Sequence, residues 1–498
     1  HFQNLYPYIC VDEAQDTSKI QHAIIALLAS KTENLFMVGD EDQSIYGFRA
    51  AYPEALLSFE KNHANARVLL MEDNFRSNAS IVEAADQFIQ KNTLRHEKHM
   101  RATKERMEEI KEISLKSRKA QYSYLMKVAD GCTTQTAVLY RDNECILPLV
   151  DLLERNNIPY QMRNAELTFF SHRTVLDVVN IIKLALNPKD TEAFLQVYYK
   201  IGTYLRKQEA MRIAEISEEK DLPVLDVAAD YQGLSGHVIG CVKSVRTHLQ
   251  NMLQESGDKA VNRISQYMGY REYLNRIGVS DSKLEILRML GAGEESPERL
   301  VKRLEELKSI ILEKQSDAQC PFILSTMHAS KGLEYVHVYL IDVVDGILPE
   351  QALQNPKRAS KEELQTYEEE RRLFYVGVTR AKQQLTLFTT NRESSFCREI
   401  LGKTFIQKNS TKVVSANKIF SQANPYAQNT KSRMKPTTAE EYKKFKEQLG
   451  AGVLVKHKKF GDGVVVSMDE ERVQILFGEK LRNLDMRMLI QGGFLEVH

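Results

Sequence analysis

No tryptophan occurs among the 498 residues, and no two of the six cysteines form a C-x-x-C pair. Positive and negative charges nearly cancel, leaving a formal net charge of +1. Each shortage excludes something. Cysteines scattered at 10, 132, 145, 241, 320 and 397 exclude a zinc or iron–sulfur site built on paired thiolates and fit a reducing cytoplasmic setting. A near-zero net charge means that a polyanion must be met by a local surface rather than by the field of the whole chain. No apolar run approaches the ~18 residues of a membrane span, so no membrane partner is expected. No internal repeat is visible. The sequence opens on His1 with no signal peptide after it, the pattern expected of a fragment.

What is present is ordinary for a globular protein: 43% hydrophobic and 27% charged residues. The length exceeds what one core organises, so several domains are expected. Short apolar runs read as strands at Tyr8–Val11, Leu35–Val38, Val68–Met71, Ala137–Tyr140, Phe322–Thr326, Val336–Ile341 and Leu385–Phe388. Helical patterns separate the early ones. In SKIQHAIIALLAS, Ile20, Ala23, Ile24, Leu27 and Leu28 share one face behind an N-cap at Thr17 or Ser18. Strands alternating with helices predict an α/β fold with parallel sheets, whose ligands sit beyond the carboxyl ends of the strands. Residues 173–316 instead read as charged and helical throughout. Residues 401–460 carry thirteen Lys and Arg against three acids and suggest a basic, flexible tether. The last ~45 residues, with Gly-Asp-Gly and Phe-Gly-Glu between β-rich runs, suggest a small β-barrel.

The stretch YICVDEAQDTS, residues 8–18, puts Asp12 and Glu13 at the end of an apolar strand. Paired acids there suit phosphoryl transfer: Asp12 to hold Mg²⁺, directly or through water, and Glu13 to orient and deprotonate a water. The pair alone is weak, because surface acids capping helices are commoner. Its neighbours strengthen it: VGDEDQSIYGFRAA from Val38, MEDNFRSNASI from Met71, TAVLYRDN from Thr136, ILSTMHASKGLEYVHVYLI from Ile323 and EEERRLFYVGVTRAKQQLTLF from Glu368.

In this order the segments resemble motifs II to VI of the UvrD/Rep/PcrA-type superfamily 1 DNA helicases, over nearly the whole chain. The resemblance implies two RecA-like parallel sheets, one incomplete and one complete, with an all-helical insertion and a small C-terminal Tudor-like β-barrel. It implies ATP and Mg²⁺ as cofactors. By position, Asp12 matches the metal-binding acid, Glu13 the water-activating one, and Gln43 the γ-phosphate sensor. Arg76 and Arg380 match the arginines that reach that phosphate, and Glu334 a ribose contact. Tyr46 and Phe48 match a stacking platform for single-stranded DNA, with Arg49 on phosphate. Thr326, His328 and Ser330 match positions near the DNA backbone and the cleft. Two departures stand out: Phe48 takes the place of the family's usual Trp, and Phe75 that of a Tyr often stacked on adenine.

The resemblance divides the chain as 1–62, the remnant of the first RecA-like domain; 63–172 and 317–400, the two parts of the second; 173–316, the insertion; 401–450, the linker; and 451–498, the barrel. A P-loop is not found. The one Gly-Lys-Thr, Gly402–Thr404, follows a polar helical stretch and has Cys397 where the first glycine belongs. The chain is therefore expected to be the C-terminal portion of a longer helicase, without ATPase activity by itself. The parent activity implied is ATP-dependent 3′→5′ translocation on single-stranded DNA and unwinding at a duplex junction, in repair or replication restart. Alternatives are a helicase–nuclease subunit of the AddA/RecB kind, for which no C-terminal cluster of acids is seen, and a non-catalytic module binding DNA or RNA polymerase. By analogy residues 451–498 dock on RNA polymerase; DNA contact through Lys456, Lys458 and Lys459 is the other use.

Overall fold

The computed structural model describes all residues except 1, 64, 164–166, 314–318, 354–358, 391–393, 404–452, 458–460, 469–471, 478–479, 486–494 and 498. The chain forms two compact units, residues 1–406 and 407–498. The expected linker at 401–450 falls almost wholly outside the described residues, as do Lys458 and Lys459.

Among its described residues the first unit holds two main parallel sheets, besides a two-residue parallel pairing of Asp73–Asn74 with Arg101–Ala102. One has two strands, β1 (Ile9–Val11) and β2 (Leu35–Met37), paired from Ile9–Leu35 to Val11–Met37. Helix α1 (Lys19–Ala29) connects them, as a parallel pair requires. Ser18, not Thr17, caps α1: its hydroxyl accepts the Gln21 amide while the Gln21 side chain returns to the Ser18 amide. The apolar stripe foreseen on α1 exists but is not covered, with Ile20, Ile24 and Leu27 all exposed.

The other sheet has six strands: β3 (Lys111–Leu115), β4 (Thr136–Tyr140), β5 (Gln161–Met162), β6 (Phe322–Thr326), β7 (Tyr335–Leu340) and β8 (Ala381–Thr390). They lie all parallel in the order β3-β8-β7-β4-β6-β5. Strands β4 and β6 are buried at every residue, as strands covered on both faces must be. Their alternation divides the core. Val138 and Tyr140 face a large cluster built with the helices after Arg173, while Ala137 and Leu139 face a second cluster with Ile81, Phe88 and Phe374. Helices α2 (Ala79–Ile89) and α5 (Lys361–Val378) pack on that second face, and α3 (Arg118–Asp130) and α4 (Leu147–Arg155) on the first. Nine α-helices run from Arg173–Leu186 to Pro297–Glu313, with no strand among the described residues between them.

One expected strand is absent. Among the described residues Val68–Met71 pairs with no other segment; close by in sequence is a two-residue bridge of Asp73–Asn74 with Arg101–Ala102. Leu69 and Met71 are 84% and 92% exposed. The apolar pattern is real, but no neighbouring strand among the described residues completes the hydrogen bonds a strand needs.

In the second unit five strands form an antiparallel sheet: β9 (Leu454–His457), β10 (Gly461–Met468), β11 (Arg472–Phe477), β12 (Lys480–Asp485) and β13 (Leu495–Val497), in the order β12-β11-β10-β9-β13. Val455, Val465, Val473 and Ile475 form its inward face.

Candidate functional site

Strand β1 ends at Val11 and the backbone turns sharply. Glu13 sits in the left-handed region at φ 49°, uncommon for a residue with a side chain. Asp12 Oδ1 accepts the Glu13 amide at 2.9 Å and the rest of its exposed carboxylate faces outward. Gln15, almost fully buried, ties this turn to the next. Its amide donates to Glu13 Oε2 at 2.5 Å and its carbonyl oxygen accepts the Asp40 amide at 3.0 Å. Gly39 packs closely here: a Cβ would lie 2.6 Å from Gln15 Oε1 and 2.7 Å from Leu56 Cδ1, so a larger residue would displace the Gln15 side chain that ties the two turns.

From Asp40 the chain enters a charged knot. Gln43 Nε2 donates to Asp40 Oδ2 at 2.7 Å, and Lys98 reaches Asp40 at 2.7 Å, Glu41 at 3.0 Å and Asp42 at 3.4 Å. Burial works against the charge of Lys98, but three carboxylates outweigh it and raise the pKa. Arg95 grips Asp42 with two nitrogens, Nη2 at 2.9 Å. These cations lie after α2, so they bind the first sheet's loop to the second layer.

Arg380, just past α5, is 1% exposed. It donates to neutral oxygens: Val376 O at 2.9 Å, Thr379 Oγ1 at 3.0 Å, Leu333 O at 3.1 Å and Gln43 Oε1 at 3.4 Å. Burial, with repulsion from Arg76, lowers its pKa to about 10. A buried guanidinium without a carboxylate is costly, and an anion entering beside it would relieve that cost. Arg76 donates to Glu334 Oε2 at 2.9 Å, and Lys382 reaches Glu334 Oε1 at 2.6 Å. Lys382 first and then Arg76 hold the Glu334 pKa below its ordinary value. A cavity of about 560 Å³ is lined by Asp12, Glu13, Gln43, Arg76 and Thr379; Arg380 and Glu334 are not part of its lining.

The residues fit a triphosphate and its metal in kind. Asp12 offers one exposed carboxylate, which suits Mg²⁺, an ion that keeps most of its waters and takes phosphate oxygens as ligands. Among the described residues no cluster of three or more His, Cys, Asp or Glu forms a self-sufficient metal cage.

A second hollow, of about 430 Å³, is lined by Tyr46, Phe48, Arg49, Arg141, Thr326 and His328, among others. Three rings form its wall, with centroids 5.9 Å apart for Tyr46–Phe48, 6.2 Å for Tyr46–His328 and 5.7 Å for Phe48–His328. The Arg49 guanidinium lies 5.1 Å from the Tyr46 ring centre and 5.4 Å from that of Phe48. Phe48 is 69% exposed, as an unoccupied stacking face would be. Burial first, then the charges of Arg141 and Arg49, push the His328 pKa down to about 4, so it is a neutral ring near pH 7. Thr326 Oγ1 is spent on the Ala329 amide at 3.1 Å. Ser330 is fully buried, its hydroxyl donating to Met327 O at 2.7 Å, between Ala329 at the hollow and Lys331. Phe75 is exposed.

Sequence reasoning missed Lys331. Its Nζ lies 2.7 Å from Asp16 Oδ2, 2.9 Å from the Gln43 carbonyl and 3.4 Å from Glu13 Oε2, and 5.5 Å from the Tyr46 ring centre. One ammonium thus touches both the acidic turn and the aromatic wall. The signal was its place in Lys-Gly-Leu-Glu, immediately after the wall's His-Ala-Ser and three before Glu334.

Paired acids ending one parallel strand, faced by a buried arginine from a second parallel α/β layer and flanked by an aromatic groove, define the core of a helicase-type α/β protein. The chain belongs to the UvrD-like helicase family: the family model described as UvrD-like helicase C-terminal domain matches residues 69–392. The model of the UvrD/REP helicase N-terminal domain matches residues 1–64. Among curated relatives, the chain is 28% identical to an ATP-dependent DNA helicase PcrA of Staphylococcus epidermidis over 511 residues, covering 95% of this chain and 67% of the relative. It is 27% identical to an ATP-dependent DNA helicase PcrA of Staphylococcus aureus over 508 residues, covering 95% of this chain and 68% of that one.

Proposed function

We propose that this chain carries the strand-binding groove and one wall of the nucleotide cleft of an ATP-dependent 3′→5′ helicase acting on single-stranded DNA in repair or replication restart. The observation that carries this reading is Arg380, buried, paired with no carboxylate among the described residues and bonded to Gln43, whose loop begins beside the Glu13 turn. When bound, ATP with Mg²⁺ supplies the phosphoanhydride bond and neutralises part of its charge. Asp12 would hold the metal. Glu13 Oε1 and Oε2 would orient a water and accept its proton. Gln43 would read the terminal phosphate, and Arg380 and Arg76 would stabilise charge growing on it, as planar, permanently charged forks do. Glu334, beside Arg76, would meet the ribose.

The groove supports the DNA half of the reading. Tyr46 and Phe48 offer π-faces to bases without sequence preference, with Arg49 beside them for phosphate and Thr326 and His328 along the same wall. The sequence contains no G-x-x-x-x-G-K-[ST] after a strand, so strand binding without turnover is expected of these 498 residues alone. This observation also favours the second reading, a non-catalytic DNA-binding module. The proposals that residues 451–498 dock on RNA polymerase and that the protein works in the cytoplasm rest on resemblance.

Titration of a labelled single-stranded oligonucleotide, against duplex of the same length, tests the reading. A clear preference for the single strand is expected, weakened by Phe48→Ala about tenfold. Equal binding of both, or no binding, would contradict it. DNA-stimulated ATP hydrolysis by the chain alone would contradict the absence of turnover.

A further inference from the structure

The run Glu368-Glu369-Glu370-Arg371-Arg372 on α5 has the composition of a solvated helix face. The structure spends every one of its charges inward. Glu368 accepts the Thr93 amide and hydroxyl, each at 2.9 Å. Arg371 pairs with Glu399, its guanidinium 4.7 Å from the Phe88 ring centre. The other three reach the groove. Glu369 Oε1 accepts the Gly47 amide at 3.0 Å, in the middle of the Tyr46–Arg49 turn. Arg372 Nε donates to the Ser44 carbonyl at 3.0 Å, just before that turn. Glu370 Oε1 receives Arg141 Nη2 at 2.8 Å and Nε at 3.1 Å, and Arg141 lines the same hollow. The fit at Gly47 is close: a Cβ there would lie 2.6 Å from Glu369 Oε1 and 2.8 Å from Oε2.

We propose that Glu369 and Glu370 are positioning residues for the groove, Glu369 fixing the aromatic turn through the Gly47 amide and Glu370 fixing Arg141 beside it. Neither carboxylate has reason to touch a polyanion; each acts through the residue it holds. Helix α5 also carries, two residues past its end, Arg380. The helix therefore contacts the groove through Glu369 and Arg372 and, at its end, Arg380 through the Val376 carbonyl.

This inference rests on the single-strand reading, and charge makes it testable. Removing a carboxylate near a polyanion site tightens binding if the side chain acts through its field alone. Removing a positioning residue weakens it. The probe is a labelled oligo-dT bound by the full 498-residue chain at fixed salt, read by fluorescence anisotropy. E369A is expected to bind about tenfold more weakly despite the lost negative charge. E369Q, which keeps an acceptor oxygen, is expected within about twofold of the wild type. G47A should weaken binding too, and the G47A/E369A pair should be less than additive, because both break one contact. If E369A melts early, G47A at an unchanged melting temperature carries the test alone: weaker binding supports the inference and wild-type binding overturns it. Wild-type protein that ignores oligo-dT overturns the single-strand reading and this inference with it. Wild-type protein that binds, with E369A equal or tighter, overturns the inference and leaves the reading standing.

Discussion

The two parallel sheets of the first unit are made of similar strands and have opposite fates. Ile9-Cys10-Val11 and Leu35-Phe36-Met37 are as apolar as Ala137-Val138-Leu139. Yet Phe36 is 61% exposed while Leu139 is fully buried. The difference is what lies on either side. Strand β4 has β6 and β7 as neighbours and helices on both faces, whereas β1 and β2 have each other and a helix whose own apolar stripe is exposed. Burial is a property of the partner as much as of the residue. The consequence for the site is direct. Arg380 is set in a packed core; the Glu13 turn and the Asp40–Gln43 loop are held by a few charged contacts from the second layer, chiefly Lys331, Lys98 and Arg95.

The contrast can be broken by experiment. The largest effect is expected for Leu139→Ala, at about 2–5 kcal/mol of unfolding free energy by urea titration. A cost near zero would mean that the six-stranded sheet is not the organising core. Next comes Lys98→Ala, which strips a shared cation from Asp40, Glu41 and Asp42. A loss of about 2 kcal/mol is expected, with faster proteolysis within residues 1–62. Unchanged proteolysis would show that the loop is held in another way.

A smaller, pH-dependent effect falls on His328. Its folded pKa of about 4 lies below the ordinary 6.5, so the folded state disfavours its proton. The stability this contributes is full above pH 6.5 and is lost as pH falls toward 4. H328Q should flatten that part of a melting-temperature profile, and a profile as steep as the wild type's would place the titration elsewhere. The smallest effect is expected for Phe36→Ser, within about 0.5 kcal/mol, because the side chain already faces solvent. If it costs as much as Leu139→Ala, the comparison fails.

Much of this was legible in the sequence. The apolar run at Ala137–Tyr140 and the mostly apolar one at Phe322–Thr326 became fully buried strands, and the acids after Val11 stand at a strand's carboxyl end. Three things were not. Val68–Met71 has a strand's composition but finds no strand to pair with among the described residues, and pairing is non-local. Lys331 looks like any surface lysine until Asp16, Gln43 and Tyr46, some 300 positions away in sequence, are folded around it. Glu368–Arg372 reads as a solvated charge run because composition does not record which face of a helix meets polar loops.

The central claim is that Arg380 and the Glu13–Gln43 side frame one anion site across the two layers. A crystal structure of the chain grown with Mg²⁺ and inorganic triphosphate tests it most directly. The account predicts the anion within hydrogen-bonding distance of Arg380 and Arg76, with the Asp12 and Glu13 carboxylates on its other side. Arg380 paired to a carboxylate instead, with the triphosphate elsewhere or absent, would contradict it.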